Sequence, residues 1–332
     1  MVLAVLACTA PSSSYAAGFE FTALLRPGLV QIHVNDAENT KAPRNGEVIM
    51  CVHGLAHTAA TFDPLTHTIF TDPGLGKKVR HVITFDMPAR DGSSAPFGPR
   101  APKFGDLGID DYASITIQAL AQCEIRGLQV DAIVAHSMGG LVVQVAQEKL
   151  LSNHLSLRWT FGVKGLVTMG TSEPSQIFDP VLESGFDLYL LSIYATADPI
   201  LGEVLAVDPY SFQAFFFTDL NGNVVTGAPT PDQIVALGYE ADEAYQASLE
   251  TVGTSDMRPS VRTGAFSPCY GTSLRVVFGS QDGFSDPGAQ KSVYEYLTGD
   301  LSDKNLVEDP AADSAHDKFI SNPVGELKLL GL

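Results

Sequence analysis

Residues 131–140 read Asp-Ala-Ile-Val-Ala-His-Ser-Met-Gly-Gly. The apolar run Ala132 to Ala135 leads into Ser137. Two glycines follow, and then Leu141, Val142, Val145 and Ala146 recur at helical spacing. The order is strand, sharp turn, helix. A serine at such a turn is pushed out of the sheet with its hydroxyl exposed, and the first backbone N–H groups of the helix point toward it. Small residues are needed on either side because the turn brings the two backbones together. The segment predicts that Ser137 is a nucleophile. The competing reading is an ordinary strand-to-helix loop with a capping serine.

Outward from this point, further apolar runs have strand character: Phe19 to Leu25, Leu29 to Val34, Val48 to Val52, His81 to Phe85, Leu166 to Met169 and Leu274 to Phe278. The middle ones are nearly continuous in apolar residues, as strands buried on both faces are. Asp110 to Arg126 carries Tyr112, Ile115, Ala119 and Cys123 on one helical stripe, with Gly127 as a stop signal. Ser292 to Leu297 and Pro323 to Leu330 are shorter helix candidates. The alternation predicts an α/β fold: a mostly parallel sheet flanked by helices and opened by an antiparallel hairpin.

The section from about Ser172 to Pro268 breaks this rhythm. It holds most of the clustered aromatics, among them Phe178, Phe186, Tyr189, Tyr194, Tyr210 and Phe212. It is too long for a simple loop and reads as a cap over an active site; an accessory packing subdomain is the alternative. Within it, Asn221-Gly222 predicts a hairpin turn. Asp219, Asn221 and Asn223 resemble the start of a calcium loop, but the glycine falls too early and Thr230 stands where the closing glutamate belongs. No metal or other cofactor is expected.

A serine nucleophile needs a base, an acid to orient it and donors for an oxyanion. Past the strand ending at Phe278, Asp282 lies at the sheet edge where ligands bind, and it is the predicted acid. Asp286 and Glu173 are rival acids, and the plain alternative is a turn role for the aspartates. His316 is the one histidine that follows Asp282, and it is the predicted base. Strand Val48–Val52 stops at His53-Gly54-Leu55, so the backbone N–H of Leu55 is one predicted oxyanion donor and that of Met138 the other. His53 reads as a structural histidine bonded to loop backbone. His57 reads as a solvated loop histidine.

The chain has 332 residues, with 20 basic against 38 acidic side chains and a net charge of −18. Nucleic acid and anionic membranes are poor partners for such a surface. No apolar stretch reaches the ~20 residues of a spanning helix. The apolar run Met1 to Ala7 and the small residues up to Ala17 resemble a secretory signal with cleavage near Ala16, which predicts a secreted or periplasmic protein; no Lys or Arg precedes the run. Cys8 loosely fits a lipoprotein cysteine. The four cysteines, Cys8, Cys51, Cys123 and Cys269, are too widely spaced for a zinc site or a disulfide scaffold; a Cys123–Cys269 pair stays open, and so does the oligomeric state. The expected organisation is a leader over residues 1–17, a core over 18–171 and 269–332, and a cap over 172–268.

From Glu47 to Leu332 the chain resembles the α/β-hydrolase superfamily. The carrying motifs are Val52-His53-Gly54-Leu55, Asp86-Met87-Pro88 with Gly92-Ser93-Ser94, Ala135-His136-Ser137-Met138-Gly139-Gly140, Phe278-Gly279-Ser280-Gln281-Asp282 and Ser314-Ala315-His316. The resemblance implies an eight-stranded, mostly parallel sheet, a Ser-Asp-His triad and a cap inserted after the sixth strand. Two departures stand out: Ala135 replaces the first glycine of the usual elbow, and Ala89 with one extra residue occupies a loop that is often glycine-containing. Members with an elbow aspartate form alkyl-ester intermediates. Ser137 instead implies acyl transfer on a small-molecule ester, with lactone, amide or carbon–carbon cleavage as alternatives. A non-catalytic ligand-binding protein of the same fold is the reading from another class.

Overall fold

The computed structural model describes residues 15–25, 27–54, 57–88, 92–102, 107–171, 217, 219, 221–236, 261–282, 294–299, 305–311 and 313–332. Its strands are β1 (Tyr15–Leu25), β2 (Gly28–Glu38), β3 (Glu47–Val52), β4 (Val79–Phe85), β5 (Ala132–His136), β6 (Gly165–Met169), β7 (Ser273–Gly279) and β8 (Leu306–Asp309). They form one sheet in the order β1-β2-β4-β3-β5-β6-β7-β8. β2 pairs antiparallel with β1 and β4, and all other pairings are parallel. The expected opening hairpin, parallel sheet and strand count are all present.

The described α-helices are α1 (Asp63–Thr71), α2 (Ile109–Ile125), α3 (Met138–Leu151), α4 (Leu157–Phe161), α5 (Pro231–Ala236), α6 (Lys318–Ser321) and α7 (Pro323–Leu330), with a further helical turn at 294–298 and short 3-10 turns at Ala59–Phe62, Leu75–Lys77 and Pro268–Tyr270. α2 starts where Asp111 accepts the Gly108 N–H at 3.0 Å, and α7 where Asn322 accepts the Gly325 N–H at 2.9 Å. β8 went unanticipated because it has four residues at a sheet edge and no apolar alternation. α1 and α4 are short and lack a long apolar stripe, so they also went unanticipated. β1 begins at Tyr15, within the stretch expected to end the leader; residues 1–14 lie outside the described residues.

The central strands need apolar side chains on both faces because helices cover both. In β3, β5 and β6 every residue past the first is buried. Asp131 sets their register from one end: its carboxylate accepts the Val48 N–H at 3.0 Å and meets Lys164 Nζ at 2.7 Å. α3 is the most enclosed helix, with Met138 to Gln147 continuously buried. At the opposite end, the registers Val52↔Ala135, His136↔Met169, Met169↔Val277 and Gly279↔Asp309 align the strand termini. The loops that leave this edge carry the site.

Candidate active site

Ser137 connects β5 to α3 with φ 50° and ψ −124°. A non-glycine residue with positive φ is strained by about 1–3 kcal/mol and persists only where its surroundings hold it. Here the backbone supplies the hold. Ser137 N–H donates to Met169 O at 2.8 Å, and Thr171 Oγ1 donates to Ser137 O at 3.0 Å. Close approach explains two glycines. A Cβ on Gly139 would lie 2.3 Å from Val52 O, and one on Gly54 would lie 2.9 Å from Ser137 Cβ. Ala135, in the other small position, is completely buried, so its methyl is accommodated. Ser137 itself is half-buried. Met138 opens α3, so its N–H is among the first-turn amides that have no acceptor within the helix.

His316 Nδ1 bonds Asp282 Oδ2 at 2.9 Å, and both side chains are buried. Donation from Nδ1 to a carboxylate leaves Nε2 as the basic nitrogen. Burial alone would depress the His316 pKa; the charge and hydrogen bond of Asp282, with help from Asp317, outweigh it and raise the pKa above the usual imidazole value. Gly279 brings the two segments together: its backbone passes so close to Ser314 O that a Cβ there would clash at 2.1 Å. Ser314 Oγ also accepts the Gln281 N–H at 3.1 Å. The His316 ring packs edge-on against His136, the residue before Ser137, with centroids 4.8 Å apart. Thus the Asp282–His316 pair lies at the same sheet edge as Ser137, against the residue that precedes it. Leu55, Asp286 and Glu173 lie outside the described residues.

His53 Nδ1 bonds Gly54 O at 2.8 Å, and its Nε2 accepts the Met87 N–H at 3.1 Å. That is the structural role expected of it. His57 corrects the sequence reading. It is 1% exposed rather than solvated, and its Nε2 bonds Asp317 Oδ2 at 2.9 Å. Asp317 is also buried, and its other oxygen lies 3.3 Å from His136 Nε2. His136 Nε2 in turn meets His316 O at 3.0 Å. This His57–Asp317–His136 cluster was missed because its members are separated by up to 260 positions in sequence. The one local signal was an aspartate directly after the predicted base.

Among the described residues this cluster is the single trio of metal-ligating side chains close enough to share an ion. Its ring nitrogens, however, face oxygen acceptors and so carry protons, which a metal ligand cannot. Asp219 accepts from the N–H groups of Asn221 and Asn223, each at 2.9 Å, which closes the expected turn within the chain itself. Cys51, Cys123 and Cys269 are free thiols. Burial pushes the Cys123 thiol up to about 12 and raises that of Cys51, so neither is reactive. No described helix is long and apolar enough to cross a membrane.

The sequence pattern of the alpha/beta hydrolase family matches residues 49–323. Three solved structures show the same fold. An esterase from Thermogutta terrifontis superposes with a TM-score of 0.60 at 14% identity, covering 95% of this chain and 100% of that one. An alpha/beta hydrolase fold protein from Chitinophaga pinensis gives 0.59 at 16% identity, covering 96% and 95%. Carboxylesterase CesB from Bacillus subtilis gives 0.52 at 13% identity, covering 95% and 91%. No curated protein sequence matches the chain.

Proposed function

The chain belongs to the alpha/beta hydrolase family, and from that premise we propose that it is a serine hydrolase cleaving carboxylic esters through an acyl-enzyme on Ser137. The supporting observation is the buried Asp282–His316 bond of 2.9 Å, set beside a strained serine elbow. His316 Nε2 takes the hydroxyl proton as Ser137 Oγ attacks the ester carbonyl carbon. Asp282 fixes the imidazole tautomer and stabilises the imidazolium. The backbone N–H groups of Met138 and Leu55 hold the oxyanion, a contribution on the order of 10²–10³ in rate per donor. The carbon–oxygen bond to the leaving group then breaks, and the alcohol departs with the proton from His316. Water attacks the acyl carbon, gives its proton to His316, and releases the acid while Ser137 regains its hydrogen.

The aromatic section over 172–268 supports a cap and a moderately bulky, apolar or aromatic substrate. A panel of p-nitrophenyl esters of graded chain length tests the reading. Turnover by the wild type, lost in Ser137→Ala, is the expected result. A panel that stays inert while a lactone, amide or carbon–carbon substrate is cleaved reassigns the bond. Failure of every substrate leaves a binding protein of this fold.

A further inference from the structure

We propose that Asp317 is a positioning residue whose single carboxylate locks together the three loops that carry catalysis. The inference rests on the reading of Ser137, Asp282 and His316 given above. One oxygen of Asp317 holds His57, three residues beyond Gly54 on the loop that carries Leu55. The other faces His136, the residue that precedes the nucleophile. The backbone of Asp317 follows directly on His316, whose carbonyl accepts from the same His136 nitrogen. A displacement of any one loop therefore breaks a bond to another.

Proton positions follow from the partners. His136 Nε2 faces a carbonyl and a carboxylate oxygen, both acceptors, so it carries the hydrogen. Burial, with the neighbouring His316 and His57, holds the His136 pKa well below the imidazole value, so this ring stays neutral. His57 Nε2 likewise donates to Asp317 Oδ2. Phe319 seals the cluster, with its ring centroid 4.6 Å from that of His136 and 5.1 Å from that of Phe62. A buried carboxylate without donors would be costly, so the two imidazoles and the aspartate are mutually required.

Asp317→Asn is the informative change. It keeps the shape but replaces one oxygen with an NH₂ group, which then faces a ring N–H. One of the two rings, His57 or His136, must then change tautomer or turn away, and His136 gives up its bond to His316 O if it is the one that moves. The charged and titratable groups around His316 are Asp282 from the loop after β7, Asp317 on its own loop and His136 from the elbow. Asp309, Lys318 and Glu326 join them across a cavity of about 20 Å³. Loss of the Asp317 charge therefore lets the base give up its proton at lower pH.

The test is ester turnover by wild type, Asp317→Asn and His57→Gln over a pH series, with thermal melting of each. In Asp317→Asn, kcat is expected to fall about 10- to 100-fold with KM changed less than threefold, as misplaced reacting groups give. The acid limb of kcat/KM is expected to move to lower pH. In His57→Gln, kcat falls while the acid limb stays, because the charge at 317 remains; this variant decides the matter if Asp317→Asn does not fold. Wild-type kcat and an unmoved acid limb in Asp317→Asn overturn the inference and leave the serine hydrolase reading intact. An inert wild type overturns both.

Discussion

Two buried Asp–His pairs lie side by side at the carboxyl edge of the sheet, and both are 2.9 Å long. Length and burial do not separate them; their surroundings do. Asp282 meets an imidazole whose second nitrogen is left basic at the elbow, so that pair is placed to move a proton. Asp317 bonds one imidazole, His57, and lies 3.3 Å from a second, His136, whose own hydrogen goes to the His316 carbonyl, so these contacts tie loops together. Glu326, another buried carboxylate, lines a small cavity beside Asp282 and has Asp309 and Asp313 charges near it, offset in part by Lys318. Asp282, Asp317 and Glu326 are thus given different tasks by their neighbours.

Asp282→Asn is expected to have the largest effect. The fold is expected to survive, while kcat on a p-nitrophenyl ester falls about 10⁴-fold, because the tautomer of His316 is no longer fixed. A loss no larger than that of Asp317→Asn would mean the two pairs do not divide the work as described.

Glu326 gives the next largest effect, and it acts on stability. Burial, with the Asp309 charge, raises its pKa from 4.5 to about 7. The folded state therefore holds a proton that the unfolded chain releases. Its stabilising contribution is complete below pH 4.5, declines between 4.5 and about 7, and is gone above that. Glu326→Gln, neutral at every pH, is expected to raise unfolding stability by about 3 kcal/mol at pH 8 and to change little at pH 4. Urea melts at the two pH values check this.

The smallest effect is on the pH profile of the unaltered protein. In the proposed mechanism His316 must be neutral to accept a proton, and its pKa is raised above the ordinary 6.5. Activity is therefore expected to fall on the acid side with a midpoint above 6.5, read from kcat/KM. A midpoint below that value would contradict the influence assigned to Asp282 and Asp317.

The fold and the Asp282–His316 pair were legible because their signals are local. An apolar run ending at a small-residue turn marks each central strand, and the loops just past those strands share one edge. Strand β8 and helix α4 are too short for periodicity to register. The Asp317 cluster was illegible for another reason. A solvated loop histidine and a buried one look alike in sequence, and His57 becomes structural through a partner 260 positions away. Phe319, next to α6's start, shows the same limit: its place beneath His136 depends on the fold as a whole.

In the proposed reaction Ser137 is an activated nucleophile. Treatment of the folded protein with a fluorophosphonate, followed by digestion and mass spectrometry, tests this directly. The predicted result is one covalent adduct on the peptide containing Ser137, slowed sharply in His316→Ala and abolished by prior unfolding. An unmodified Ser137 in folded protein, or an adduct on another residue, would contradict it.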